Sequence, residues 1–210
     1  MLILCYDTET TGIIRSNDYT HPNNPFLASI AALLYDTAAH KVVSSFNAMV
    51  QPAGWVMPEE AHAVNGLSTE YLNTVGLPVS VVLPAFIALA AKADLIVAHN
   101  VEFDTKVISA ALWRNMDEEG ELVEKAMHGV ISNWAFRPSL CTMKKSRDIV
   151  KAQTKSGKIK YPKLTEAYEF FFNKPLDRAH SANADAVAVL EIYLAIQAHN
   201  EAKNETTVGL

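Results

Sequence analysis

A mixed α/β fold is what this sequence predicts, and three observations predict it. A short apolar run, Leu2-Ile3-Leu4-Cys5-Tyr6, opens the chain as a buried strand. Two longer runs, Leu27 to Tyr35 and Val42 to Gln51, flank a turn at Asp36 to His40 and give an antiparallel start. After them, apolar residues recur at helical spacing, broken by short strand-like stretches.

The elements follow in order. Strand one covers about residues 2 to 8, and the Asn-, Asp- and Pro-rich stretch Asn17 to Pro25 is a loop. Pro58-Glu59-Glu60 and Ser68-Thr69-Glu70 have the composition of helix starts, with Pro or Ser before acids that suit the positive end of a helix dipole. Leu83 to Lys92 is helical, and the apolar stretch from Leu77 to Ala91 is too short and too often interrupted for a membrane span. Leu95 to Ala98 is a short buried strand that delivers His99 and Asn100 to its end. Phe103, Val107, Ile108, Ala111 and Leu112 repeat at helical spacing, so Asp104 lies in the first turns of a helix. The acidic cluster Asp117, Glu118, Glu119, Glu121 and Glu124 reads as a solvated helix start. Leu140 to Met143 is a last short strand. Leu164 to Phe172 and Ala182 to His199 are helices, and the residues from Glu201 are a polar, frayed tail. Trp55, Trp113 and Trp134 read as packing residues.

At 210 residues, with 50% hydrophobic and 20% charged side chains, the chain fits one domain spanning 1–200 with a short tail at 201–210. No basic, apolar leader precedes Asp7, and Cys5 and Cys141 are the only cysteines. Both features point to a reduced, cytoplasmic protein without membrane attachment. The net charge of −5 hides an asymmetry. Between Lys144 and Lys163 stand eight bases and one acid, Asp148. Such a segment either binds phosphates or forms a solvated helix and a lysine-rich loop.

The chemistry lies in three segments: Asp7-Thr8-Glu9-Thr10-Thr11-Gly12, His99-Asn100-Val101-Glu102-Phe103-Asp104 and His180-Ser181-Ala182-Asn183-Ala184-Asp185. Strand alternation sends Asp7 and Glu9 to one face and Thr8 to the other. Two carboxylates on one face repel unless a cation lies between them, and a hard, oxygen-seeking ion such as Mg²⁺ or Mn²⁺ suits them. His180 and Asp185 cannot share a helical face, because five residues turn a helix by about 500°. The helix therefore starts near Ser181, with Asp185 one turn in and His180 on the loop before it.

In this order the segments resemble the three signature motifs of the DnaQ-like exonucleases of the DEDDh type. The resemblance covers roughly residues 1 to 199, with family-like pieces at Pro58–Leu67, Ser139–Met143 and Lys163–Tyr168. It implies a ribonuclease H-like fold, a mixed five-stranded sheet with helices on both faces. It also implies a 3′–5′ exonuclease that releases nucleoside 5′-monophosphates with two divalent ions, Mg²⁺ or Mn²⁺. Asp7 would bridge the ions, Glu9 and Asp185 would complete one site, Asp104 would hold the other, and His180 would be the general base. Thr10, Thr11, His62, His99, Asn100 and Phe103 are candidate substrate contacts. Glu102 is expected to point away. DNA is the favoured nucleic-acid partner, and a polymerase or a second copy are possible protein partners. An RNA-trimming enzyme of the RNase T or oligoribonuclease type and a non-catalytic nucleic-acid-binding module are the alternatives.

Overall fold

The computed structural model describes residues 1–115 and 133–208, with side chains described as far as residue 204. The acidic cluster between Asp117 and Glu124 lies outside the described residues.

Strands β1 (Leu2–Thr10), β2 (Leu27–Asp36) and β3 (Lys41–Met49) form an antiparallel meander, as the opening of the chain predicts. Strands β4 (Leu95–Ala98) and β5 (Ser139–Cys141) add in parallel on the other side of β1. The mixed five-stranded order is β3-β2-β1-β4-β5. A central strand covered on both faces reads as an unbroken apolar run, and Ile3 to Tyr6 are fully buried.

Helix α1 spans Glu59–Asn65 and ends on Gly66, whose φ of 71° closes it in the left-handed conformation that glycine adopts without strain. Helix α2 spans Thr69–Val75, and the Ser68 hydroxyl accepts the Tyr71 N–H as its N-cap. Helix α3 (Val79–Ala90) begins directly after Pro78, earlier than the expected Leu83, because that proline is the start signal. Helix α4 spans Val101–Arg114. Helix α5 (Thr142–Val150) starts where β5 stops, so Met143 is helical and not part of the strand. Helix α6 is Leu164–Phe172 and helix α7 is Ala182–Val208. Helix α7 runs past the expected end at His199, with no Gly or Pro before Val208 to stop it.

One sheet face, through Leu4, Tyr6, Ile30 and Ile96, packs on Phe86 of α3, Val107 and Ile108 of α4, and Trp134. Trp134 meets Tyr6 and Phe86 edge-on at 5.6 and 5.3 Å. Trp55 stacks on Phe26, and Trp113 packs edge-on against Tyr19, so all three tryptophans serve packing. The opposite face, through Ile3, Cys5 and Val97, is covered by Val189, Leu190 and Tyr193 of α7. Burial among these side chains pushes the Cys5 thiol far above its ordinary range, which leaves it inert. Among the described residues, no helix is long and apolar enough to cross a membrane.

Candidate active site

β1 and β4 run parallel, with Cys5 beside Val97, and β4 pairs with β5 so that Ala98 lies beside Cys141. Continuing that register puts Asp7, His99 and Thr142 at one level, the carboxyl end of the parallel strands. This is where open α/β sheets place their ligands. Asp7 and Glu9 project on the face covered by α7, on the same side of β1 as Ile3 and Cys5. Ala182 and Ala186 of α7 lie against Ala31 of β2. Small side chains at that contact let the start of α7 come close to the sheet, and Asp185 comes with it. Carboxylate oxygens of Asp7, Glu9 and Asp185 consequently lie within 4.8 Å of one another.

Asp104 reaches the same end from α4, on the opposite face of the sheet. Its Oδ1 accepts the Thr8 hydroxyl at 2.7 Å and the Thr8 N–H at 3.1 Å. Thr8 does point away from Asp7 and Glu9, and in doing so it anchors the fourth carboxylate. Asp185 Oδ2 accepts the His180 N–H at 3.0 Å, while the Asp185 N–H donates to the Ser181 carbonyl at 2.9 Å. These bonds fix the turn that sets His180 on the loop before the helix, in a left-handed conformation with φ 68°. Asp185 Oδ1 is buried and has no hydrogen-bond partner among the described residues.

Buried and facing one another, these acids hold protons abnormally tightly. Burial, then the charges of Asp185 and Asp104, push Glu9 up to about 8. Burial raises Asp104 to about 7, opposed by the Thr8 hydrogen bonds. Burial raises Asp185 to about 6, opposed by the His180 N–H. Asp7, ringed by Asp104, Asp185 and Glu9 as well as buried, lies well above the ordinary carboxylate range. A cluster of oxygen donors that cannot all ionise alone, with one buried oxygen unpartnered, fits a hard divalent cation.

A family model described as Exonuclease (RNase_T) matches residues 4–193. The chain belongs to this exonuclease family. It is the DnaQ-like family of the ribonuclease H-like superfamily, and the five-stranded sheet is that fold. Among solved structures, E. coli exonuclease I in complex with a dT13 oligonucleotide superimposes with a TM-score of 0.70 at 18% identity, over 93% of this chain and 40% of that one. The zinc-bound form of the E. coli enzyme with single-stranded DNA gives 0.67 at 18% identity, over 93% and 40%. A product-bound exonuclease I gives 0.70 at 16% identity, over 94% and 43%. This chain thus spans about two fifths of the length of the exonuclease I chains it matches. No curated protein matches its sequence.

The remaining candidates of this exonuclease-family chain divide. His99 is a structural residue and not an available substrate contact: Thr142 Oγ1 and the Pro162 carbonyl, each at 3.0 Å, occupy its two ring nitrogens. The carbonyl can only accept, so Nε2 carries the proton, and burial holds the ring below its ordinary titration range, hence neutral. The Thr10 hydroxyl donates to the Gly12 carbonyl at 2.6 Å. Thr11 gives its N–H to the Phe26 carbonyl at 3.0 Å, and its hydroxyl accepts the Phe26 N–H at 2.8 Å. These groups of Thr10 and Thr11 hold the turn after β1 instead of reaching outward. Asn100 is left-handed with φ 76° and leads into α4 without using its side chain as a cap. Phe103 packs against the main core while staying partly exposed. His62 is exposed on α1. Glu102 pairs with Lys144 and so points away, as expected.

Three residues escaped the sequence reading. Thr8 anchors Asp104, and a polar residue buried between two acids is the only signal for it. Asn65 donates to the Thr10 carbonyl at 3.1 Å and ties α1 to the first motif. Ser29 pairs with Glu9 across β1 and β2, and its buried hydroxyl lacks a partner among the described residues. Nothing in the local sequence singles it out.

Proposed function

We propose that this chain is a metal-dependent 3′–5′ exonuclease that removes nucleoside 5′-monophosphates from the 3′ end of DNA, single-stranded or frayed. The observation that carries the reading is the convergence of Asp7, Glu9 and Asp185 within 4.8 Å, with Asp104 locked beside them. The DNA preference draws on the exonuclease I structures, several of which contain DNA oligonucleotides. In this reading the exonuclease domain is residues 1–200.

Asp7, Glu9 and Asp185 would hold one Mg²⁺ or Mn²⁺ ion, and Asp7 with Asp104 a second. When bound, such ions neutralise charge on the phosphate and on the leaving oxygen and favour attack by water. The protein's part is positioning. β1 fixes the spacing of Asp7 and Glu9, Thr8 fixes Asp104, and the His180 N–H fixes Asp185. Buried, repelling carboxylates are thereby presented in advance, with little reorganisation left for the reaction. His180 takes the proton of the attacking water. Its ring makes no hydrogen bond to a described residue, whereas both nitrogens of His99 are committed. Neutral imidazole is a suitable base near neutral pH. Asn100, Phe103 and His62 border the substrate, with the exposed edge of Phe103 available to the terminal base.

The test is mononucleotide release from a 5′-labelled single strand with Mn²⁺, with and without chelator. Stepwise shortening from the 3′ end that the chelator stops supports the reading. No release at any metal concentration would leave a nucleic-acid-binding module in its place.

A further inference from the structure

Between α5 and α6 the chain makes a hairpin that the catalytic reading does not use. The Thr154 N–H donates to the Lys158 carbonyl at 2.8 Å, and the Lys160 N–H donates to the Ala152 carbonyl at 2.8 Å. The Gly157 N–H closes a tight turn on the Thr154 carbonyl, and its φ of 80° is one that glycine accommodates at the tip. The base of this hairpin is clamped. His99 Nε2 donates to the Pro162 carbonyl, Lys160 Nζ bonds Glu166 at 2.6 Å, and Glu166 also accepts the Lys163 N–H at 2.8 Å. His99 stands at the level of Asp7 on the neighbouring strand, so the clamp ties the base of the hairpin to the strand next to Asp7.

Seven of the eight bases of this segment fall into two groups, and the eighth, Lys163, stands beside Glu166. Lys144, Arg147 and Lys160 are matched by Glu102, Asp148 and Glu166. Lys145, Lys151, Lys155 and Lys158 are exposed and have no anionic partner among the described residues. Tyr161 is 50% exposed, and the Arg147 guanidinium lies 5.5 Å from its ring centroid. Unpaired lysines beside an exposed aromatic are the combination that holds a single strand: phosphates on the cations, a base on the ring. The hairpin's base is bonded to His99, one strand over from Asp7, and the acids there repel phosphate, so a substrate needs compensating charge to approach.

We infer that the clamped Lys151–Lys163 hairpin is a strand-holding surface, binding the phosphates of a single-stranded nucleic acid upstream of the terminus being cut. This rests on the exonuclease reading. Lys155 and Lys158 at the tip take phosphates, Lys151 at the start of the hairpin extends the track, and Tyr161 stacks on a base.

The test measures anisotropy of a fluorescent oligothymidylate of about 15 nucleotides. Chelator keeps the strand intact, and salt is varied between about 50 and 200 mM. Each phosphate contact on a single strand contributes about 0.7 to the slope of log affinity against log salt. Lys155→Ala/Lys158→Ala is expected to lower that slope by about 1.4 and to weaken binding about tenfold at the low-salt end. Lys155→Arg/Lys158→Arg restores both, and Tyr161→Ala weakens binding with the slope unchanged. An alanine pair with wild-type slope and affinity, or a wild type that does not bind, overturns the proposal. Mn²⁺-dependent mononucleotide release from the same oligomer separates it from the reading beneath. Release with a slope indifferent to the lysines sinks the hairpin alone. Hairpin-dependent binding without release sinks the exonuclease assignment and leaves the surface standing.

Discussion

Replacing Glu9 by Gln should stabilise the metal-free protein, and the gain should grow with pH. Glu9 ordinarily titrates near 4.5, and burial with two neighbouring acids pushes it to about 8. Between those values the folded chain binds a proton that the unfolded chain has released, so stability is full below about 4.5 and falls as pH rises toward 8. Linkage puts the cost of the Glu9 charge at about 3 kcal/mol at pH 7 and below about 1 kcal/mol at pH 5. Water at the partly exposed rim screens part of the repulsion, so about 1–3 kcal/mol is the expected gain at pH 7. Urea unfolding followed by tryptophan fluorescence, in chelator, at both pH values, measures it. Asp104, raised to about 7, and Asp185, raised to about 6, act in the same direction and make the wild-type decline steeper. Mn²⁺ should flatten the wild-type decline and help Glu9→Gln less. A variant with the wild-type urea midpoint at pH 7, or with a larger gain at pH 5 than at pH 7, would refute the argument that these acids repel one another in the fold.

Asp7→Ala or Asp185→Asn should cost more than the 10–100-fold typical of losing an orienting partner around a metal, with circular dichroism unchanged; near wild-type turnover in either would dismiss the ligand assignment. Thr8→Val removes the 2.7 Å hydroxyl bond to Asp104 and keeps the side-chain shape, so activity should fall about 10–100-fold while the fold survives. Unchanged turnover would show that the backbone N–H of Thr8 suffices. His180→Ala should lower turnover about 10²–10⁴-fold and still show a Mn²⁺-induced rise in Tm. Loss of that rise would make His180 a support of the metal site and not the base.

The exposed Lys151–Lys163 hairpin and the buried carboxylates illustrate how differently two parts of one chain are encoded. The pairing of Asp7 with Glu9 was legible because strand alternation is a property of neighbouring residues, and the buried run before them identifies the strand. The placement of Asp104 and Asp185 in first helical turns was legible for the same reason, from apolar periodicity and a serine at the right position. His99 was not legible as a structural residue. Its partners, Thr142 and Pro162, lie far along the chain, and only the parallel alignment of β4 with β5 and the clamped hairpin bring them to it.

Local order in the amino-acid sequence therefore determined the strands, the helices and the chemical types gathered for the reaction. Tertiary structure alone decided that α7 lies on the Asp7 face of the sheet, that Thr8 grips a carboxylate arriving over the other face, and that Lys145, Lys151, Lys155 and Lys158 have no counter-charge among the described residues. The physical reason is range. Backbone periodicity is set by residues a few positions apart, whereas these contacts span 96 residues in the case of Thr8 and Asp104 and exist only once the sheet order and its two covering layers have formed.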